Sequence, residues 1–168
     1  ISAGVGSVKI EGRLRSPIYV YLATKLYKKA ADRAARGEYP LYDERDAELL
    51  MTAFNRGFSE GYLKTDKVMQ KSYADSRGLP LGKASVEGRT VSVNSERLKP
   101  GDGLTFYRGA DKVGGFEVRS VDFKNGISKL TSPFRLEMGE YDVYKTKDRE
   151  FNEIETVSYT HLTLPTIA

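Results

Sequence analysis

The apolar residues of this chain change their spacing once, and that change decides what the chain can fold into. Up to about Gly57 they recur every three or four residues, as on one face of a helix. From about Leu81 they alternate, as on a strand. A helical portion followed by a β-rich portion predicts an α+β chain made of more than one piece. In the helical portion Ser16 suits an N-cap and Pro17 the first helical position. Tyr19, Leu22, Ala23, Leu26 and their helical successors to Ala34 form an apolar stripe, and Gly37 suits the stop. A second helix is predicted through ERDAELLMTAFNR. Asp43 would cap it, Ala47, Leu50, Met51 and Phe54 would be buried, and Gly57 would end it.

Six candidate strands follow: GKASVEG, TVSVNS, GLTFYRG, VGGFEVRSVDF, ISKLTS and YDVYKT. Asn125-Gly126 between two of them signals a tight hairpin. Short strands at this spacing predict a small antiparallel β-barrel. Gly114-Gly115 inside one strand predicts a bulge or a barrel corner. The domain boundaries follow: 1–63 for the helical portion, 64–80 for a linker, 81–147 for the barrel, and 148–168 for a disordered or non-native tail. The Thr-rich end of that tail holds the only histidine, His161, which is therefore left out of any site.

The opening stretch VKIEG reads as a strand with Val8 and Ile10 on one side and Lys9 and Glu11 on the other. A strand, a glycine, Arg13 and Arg15, and then a capped helix fit one terminal βα unit of a β/α (TIM-like) barrel. In such barrels the chemistry lies at the C-terminal ends of the strands. Lys9 and Glu11 would point into the barrel, with Arg13 and Arg15 on the loop above. The competing reading is structural: Lys9 and Glu11 carry opposite charges and can form a buried or half-buried ion pair.

With no cysteine, this segment alone cannot form a disulfide, a thiolate zinc site, a cysteine nucleophile or an iron–sulfur cluster. No serine–histidine pair exists outside the tail, which excludes an ordinary serine hydrolase triad. The N-terminus lacks the pattern of a secretory signal, and no window is apolar enough for a membrane span, so the cytoplasm is the default compartment. The absence of an initiator methionine leads us to expect a chain that starts inside a longer protein.

Net charge is +4, and the residues up to Gly37 are strongly basic. Such a segment either attracts phosphates or forms a solvated helix face. Asp43, Glu44, Asp46 and Glu48 near a helix start complement its dipole better than they describe a metal site. Asn55 and Arg56 lie in a glycine-rich turn, as substrate contacts or as parts of the turn itself. PGDG lacks the ending of a phosphate-binding loop and reads as a tight turn. Tyr107, Arg108, Phe116, Arg119, Phe123 and Lys124 interleave aromatics with bases. A small barrel can hold nucleic acid on such a surface, although strand alternation puts most of those aromatics in the core.

VKIEGRLRSPIYVYLATKLYKKA resembles the KIEGR…SP.YV segment of the collagenase-like peptidase family U32, and FNRGFSEGYL is similar to the segment that follows it there. LGKA and LKPGDGLTFYRG…GGFEV resemble the accessory β-barrel of longer members. The join YADSRGLPLG departs from that pattern, being shorter and less aromatic. The resemblance implies a C-terminal fragment carrying a late strand and helix of the main barrel. It implies a parent named as a peptidase, with relatives that act in hydroxylation of transfer or ribosomal RNA or of a quinone precursor. It also implies an iron–sulfur cluster in the main barrel, held by cysteines that would lie upstream, so the isolated chain is expected to be inactive. Glu11 and Arg13 become the catalytic candidates. Lys9, Arg15, Asn55 and Arg56 become candidate substrate contacts, and Arg108, Arg119 and Lys124 candidate nucleic-acid contacts. The expected partner is RNA or a peptide, with no membrane, and RNA modification is favoured over proteolysis.

Overall fold

The structure, a computed structural model, describes residues 6–57 and 75–154. The chain divides into two units, Ile1–Ala53 with Glu150–Ala168, and Phe54–Arg149. The expected linker therefore lies outside the described residues except at its end, as do residues 58–63 and the tail from 155 onward, including His161.

The first unit contains α1 (Pro17–Arg36) and α2 (Glu44–Ala53). The Ser16 side chain accepts a hydrogen bond from the Tyr19 amide at 3.3 Å, and Gly37 closes α1 in the left-handed conformation that its sequence position implies. Ile18, Leu22 and Ala23 from α1 pack with Leu49 and Leu50 from α2. Phe151, from a helical turn over residues 150–154, joins this core, so the start of the expected tail is ordered.

α2 ends at Ala53 rather than running on through Arg56, and its buried face is turned from the predicted one. Asp46 is buried there because α1 supplies partners for it: Lys29 Nζ at 2.7 Å and Lys25 Nζ at 3.3 Å. Asp43 in turn bonds Lys29 and Arg33. Lys25, Lys29 and Arg33 of α1 are thus paired with Asp43 and Asp46, and Lys28 and Arg36 with Asp32 and Glu38, which removes much of the basic face's appeal to phosphates.

The network has a pH signature. Burial works to raise the Asp46 carboxyl, but hydrogen bonds from Lys29 and Lys25 outweigh it and hold it below the usual carboxylate range. Hydrogen bonds from Lys29 and Arg33 do the same for Asp43, and those to Asp43 and Asp46 raise Lys29. A lowered acid stabilises the fold above its unfolded pKa and loses that contribution as pH falls through the folded value; a raised lysine does the reverse on the alkaline side. The protection factors of the α1 and α2 amides, measured against their intrinsic exchange rates, should therefore be highest between about pH 4 and about pH 10. An Asp43→Asn/Asp46→Asn variant should show a flattened acid limb. An unchanged acid limb in that variant would remove the network from the account.

The second unit is an antiparallel sheet of seven strands. They are β1 (Leu79–Glu87), β2 (Thr90–Val93), β3 (Gly103–Arg108), β4 (Asp111–Glu117), β5 (Asp122–Lys124), β6 (Ile127–Thr131) and β7 (Gly139–Lys147). Their spatial order is β4-β3-β7-β1-β2-β6-β5. The predicted strand VGGFEVRSVDF is split in two: β4 ends at Glu117, Val118 still donates its N–H to the Asp102 carbonyl beside β3, and the chain then leaves to form β5. Of the closed or half-closed barrel that the strand spacing predicts, closure is not found among the described residues: β4 and β5 are the two outer strands and do not pair with each other. The Asn125-Gly126 hairpin joins β5 to β6 with both residues at positive φ, as that dipeptide predicts. The ladder between β3 and β4 shifts register beside Gly114-Gly115, the irregularity that the glycine pair predicts.

Alternation fills the core with Val86, Val91, Val93, Leu104, Phe106 and Val143 among others. Phe106 stacks on Phe116 with ring centres 5.3 Å apart and meets Tyr141 edge-on at 6.3 Å. Alternation along β7 also carries Lys145 inward. Its Nζ lies 2.8 Å from Asp102 Oδ2 and 2.6 Å from Asp148 Oδ2, and all three residues are almost fully buried. The Asp102 carboxylate also accepts N–H bonds from Lys99 and Arg149, so PGDG is a tight turn with an ionic anchor. Arg77, at the end of the expected linker, is buried over the Tyr107 ring and donates to the carbonyls of Gly109 and Ala110. Among the described residues no helix is long and apolar enough to cross a membrane.

Candidate functional site

The strand predicted at Val8 to Gly12 is not formed. A strand exists only through pairing, and among the described residues nothing pairs with this segment. It nevertheless lies close along α1. Ile10 packs against the helical core, and a side chain at Gly12 would run into Val20. Lys9 and Glu11 point outward and pair with each other at 2.7 Å, both well exposed. Of the two readings of these charges, mutual pairing is the geometry found, at a surface rather than inside a barrel. An open cleft of about 440 Å³ adjoins them, lined also by Val8, Ile10, Tyr19 and Tyr27.

Beyond Gly12 the chain makes a tight turn in which the Arg15 amide donates to the Gly12 carbonyl at 2.9 Å. Arg13 is exposed on this turn and Arg15 is half-buried. Leu14 sits between them at φ 58° with its side chain 92% exposed. A left-handed leucine costs about 1–2 kcal/mol, and strain of this kind tends to collect at functional sites. Nothing in the sequence flags it, since leucine is a residue for which such a conformation is unexpected.

Asn55 and Arg56 belong to the second unit. The Asn55 side chain holds its own turn: Nδ2 donates to the Gly78 carbonyl at 3.0 Å, and Oδ1 accepts from the Gly57 amide at 2.7 Å. Its polar atoms are thereby committed. Arg56 is exposed, its guanidinium 5.4 Å from the centre of the Phe54 ring.

The three candidate nucleic-acid contacts differ. Arg108 donates to Glu137 Oε2 and to the Tyr141 hydroxyl, both at 2.9 Å, and the hydrogen bond with Glu137 raises its already high pKa. It sits at the end of the β3–β4 ladder away from Glu117. Arg119 and Lys124 are both exposed, and Lys124 lies 3.3 Å from Asp122. Of the interleaved aromatics, Tyr107 and Phe116 are buried, and Phe123 is 47% exposed.

The chain has no cysteine, and the described residues bring no three metal-ligating side chains together. These residues do not fit an iron–sulfur cluster, whose ligands are thiolates, and no chemical step is assigned to one here.

Residues 1–72 match the model of Peptidase family U32. This segment, which contains the tight turn, the pairing of Lys9 with Glu11 and the capped helix, is what the chain shares with that family. It is 46% identical over 66 residues to a collagenase of Porphyromonas gingivalis, covering 37% of this chain and 18% of that protein. It is 41% identical over 61 residues to a tRNA hydroxylation protein P of Haemophilus influenzae, covering 36% of this chain and 13% of that protein. The protein of the same name from Escherichia coli matches equally, at 41% over 61 residues. The chain thus spans less than a fifth of the length of the curated relatives it matches. No solved structure matches it.

Proposed function

We propose that this chain is the C-terminal part of a U32 protein that takes part in hydroxylating transfer RNA, and that its second unit helps to hold the RNA. The carrying observation is the exposure of the Phe123 ring when Tyr107 and Phe116 are buried, an aromatic face open to unpaired nucleotides on an edge strand that also carries the exposed base Lys124. The 41% identity to two proteins named tRNA hydroxylation protein P supports the same reading from the first unit. In this reading Val8 to Gly12 becomes the last strand of a β/α barrel once the rest of that barrel is present. Glu11 and Arg13 then stand on the site wall, and Lys9 and Arg15 face the substrate. Asn55 shapes the turn that carries Arg56. Any iron–sulfur cluster takes its thiolates from outside this chain, and the chain alone is inactive. The site of action is the cytoplasm, with the transfer RNA.

The test is genetic and chemical. Deleting the gene for the full-length protein should remove a hydroxylated nucleoside from digested transfer RNA, read by mass spectrometry. The wild-type gene should restore it, and Glu11→Gln or Arg13→Glu should not. Unchanged transfer RNA in the deletion strain would refute the proposal. A second reading, cleavage of collagen-like substrates, is favoured by the slightly higher identity to the collagenases. Gelatin cleavage by the purified full-length protein, abolished by Glu11→Gln, would support it.

A further inference from the structure

We infer that the cleft beside Phe123 takes a single unstacked nucleobase of RNA; this rests on the RNA reading above and gives it a specific seat. Phe123 lies opposite Ser128 in the β5–β6 ladder, and directly opposed residues on antiparallel strands share a face. Ser128 is fully buried, so that face is the core face. Phe123 therefore points to the inner side of the sheet and is still about half exposed, because β5 is an outer strand and, among the described residues, no further strand pairs with it. The loop after β2 stands over the same region, since the Ser128 hydroxyl donates to the Ser95 carbonyl. Between loop and ring lies a cleft of about 400 Å³, lined by Leu81, Asn94, Ser95, Glu96, Arg97 and Phe123. That volume is within the range of small-ligand sites.

The lining matches the parts of a nucleotide. Phe123 offers one aromatic face for stacking, and Leu81 offers an apolar floor. Asn94 and Glu96 supply an amide and a carboxylate, acceptors and donors for a base edge. Lys124, on the opposite face of the same outer strand and 3.3 Å from Asp122, and Arg119, just before that strand, are exposed cations suited to the sugar–phosphate backbone as it passes round the sheet edge. RNA-binding modules read unpaired nucleotides in this way, with aromatic stacking for affinity and polar groups at the base edge. A regular duplex keeps its bases stacked and would not fill the cleft.

The test uses the full 168-residue chain and two labelled RNA probes, a hairpin with an unpaired loop and a blunt duplex of the same stem. Binding is followed by fluorescence anisotropy across a salt series. The hairpin should bind more tightly than the duplex. Phe123→Ala should weaken hairpin binding roughly tenfold, and Phe123→Tyr should preserve it. The salt slope should be unchanged in Phe123→Ala and shallower by about one for each of Arg119→Ala and Lys124→Ala. Phe123 is a partly exposed residue on an outer strand, so these variants should fold, and matching urea midpoints establish that they do. Equal binding of duplex and hairpin, or full hairpin affinity in Phe123→Ala, would overturn the inference. Displacement of the hairpin by a proline-rich peptide would overturn it too, in favour of a peptide groove. The two proposals fail separately: transfer RNA can lose its hydroxylation in the deletion strain while Phe123→Ala binds normally, or the reverse.

Discussion

Replacing Lys145 with methionine is expected to cost the second unit about 3–5 kcal/mol, the usual penalty for removing one partner of a buried ion pair. That is a large part of the 5–15 kcal/mol that ordinarily holds a domain together. Methionine fills much of the same space, so the loss is electrical rather than steric. Asp102 and Asp148 both reach the Lys145 ammonium, and neither has access to water. Without the cation, two carboxylates remain buried and facing the same gap. Asp102 cannot turn away, because it also accepts the backbone amides of Lys99 and Arg149 and so fixes the turn before β3 and the end of β7. Urea unfolding followed by tyrosine fluorescence should show a midpoint far below that of the wild type. Adding Asp148→Asn to Lys145→Met should recover part of the loss, as the second charge is removed. An unchanged midpoint in the single variant would show that the triad carries no net stability.

Gly78→Ala should be nearly as damaging, for a reason of shape. Gly78 has φ 85°, and a Cβ there would collide with the Lys145 carbonyl oxygen. That carbonyl belongs to the β1–β7 pairing at Leu79 and Lys145, so it cannot move without breaking the ladder. The left-handed backbone adds about 1–2 kcal/mol and the forced overlap about 1–3 kcal/mol, for a total of roughly 2–5 kcal/mol. Gly37→Ala provides the comparison. Its φ is similar at 71°, but nothing lies near its absent Cβ, so only the backbone cost of about 1–2 kcal/mol should appear. If the two variants unfold at the same denaturant concentration, the overlap at Gly78 is absorbed and the argument fails.

What could be read from the sequence was mostly local. Ser16, Pro17 and Gly37 specify the ends of α1 by their own chemistry, and Asn125-Gly126 specifies its hairpin. Strand alternation put Lys145 on the inward face, but its partners lie elsewhere in the chain and only the folded sheet brings them together. Asp46 shows the same limit on a helix: it reads as a solvent residue until Lys25 and Lys29 arrive from α1. The break of VGGFEVRSVDF into β4 and β5 follows from pairing with two different partners, β3 for β4 and β6 for β5, a tertiary matter.

The candidate site was legible to a similar depth. The opposite charges of Lys9 and Glu11 announced their pairing, but the left-handed Leu14 between Arg13 and Arg15 left no trace in residue type. Asn55 was singled out as polar in a turn, and it holds that turn with both ends of its amide. Alternation puts most of the interleaved aromatics in the core without singling out Phe123. It could not show that the sheet would end there and leave the ring half uncovered.

The sheet order has a last consequence. β1 and β7, the first and last strands of the second unit, are hydrogen-bonded neighbours, so the chain enters and leaves that unit at one place. A segment with adjoining ends can be spliced into a host sequence without forcing apart the residues on either side of the splice. That accounts for how the helical core can draw on both Leu22 and Phe151, residues separated in the chain by a whole independent sheet. The sheet has the character of a cassette, and gene rearrangement could gain, lose or exchange it while the helices keep their own packing.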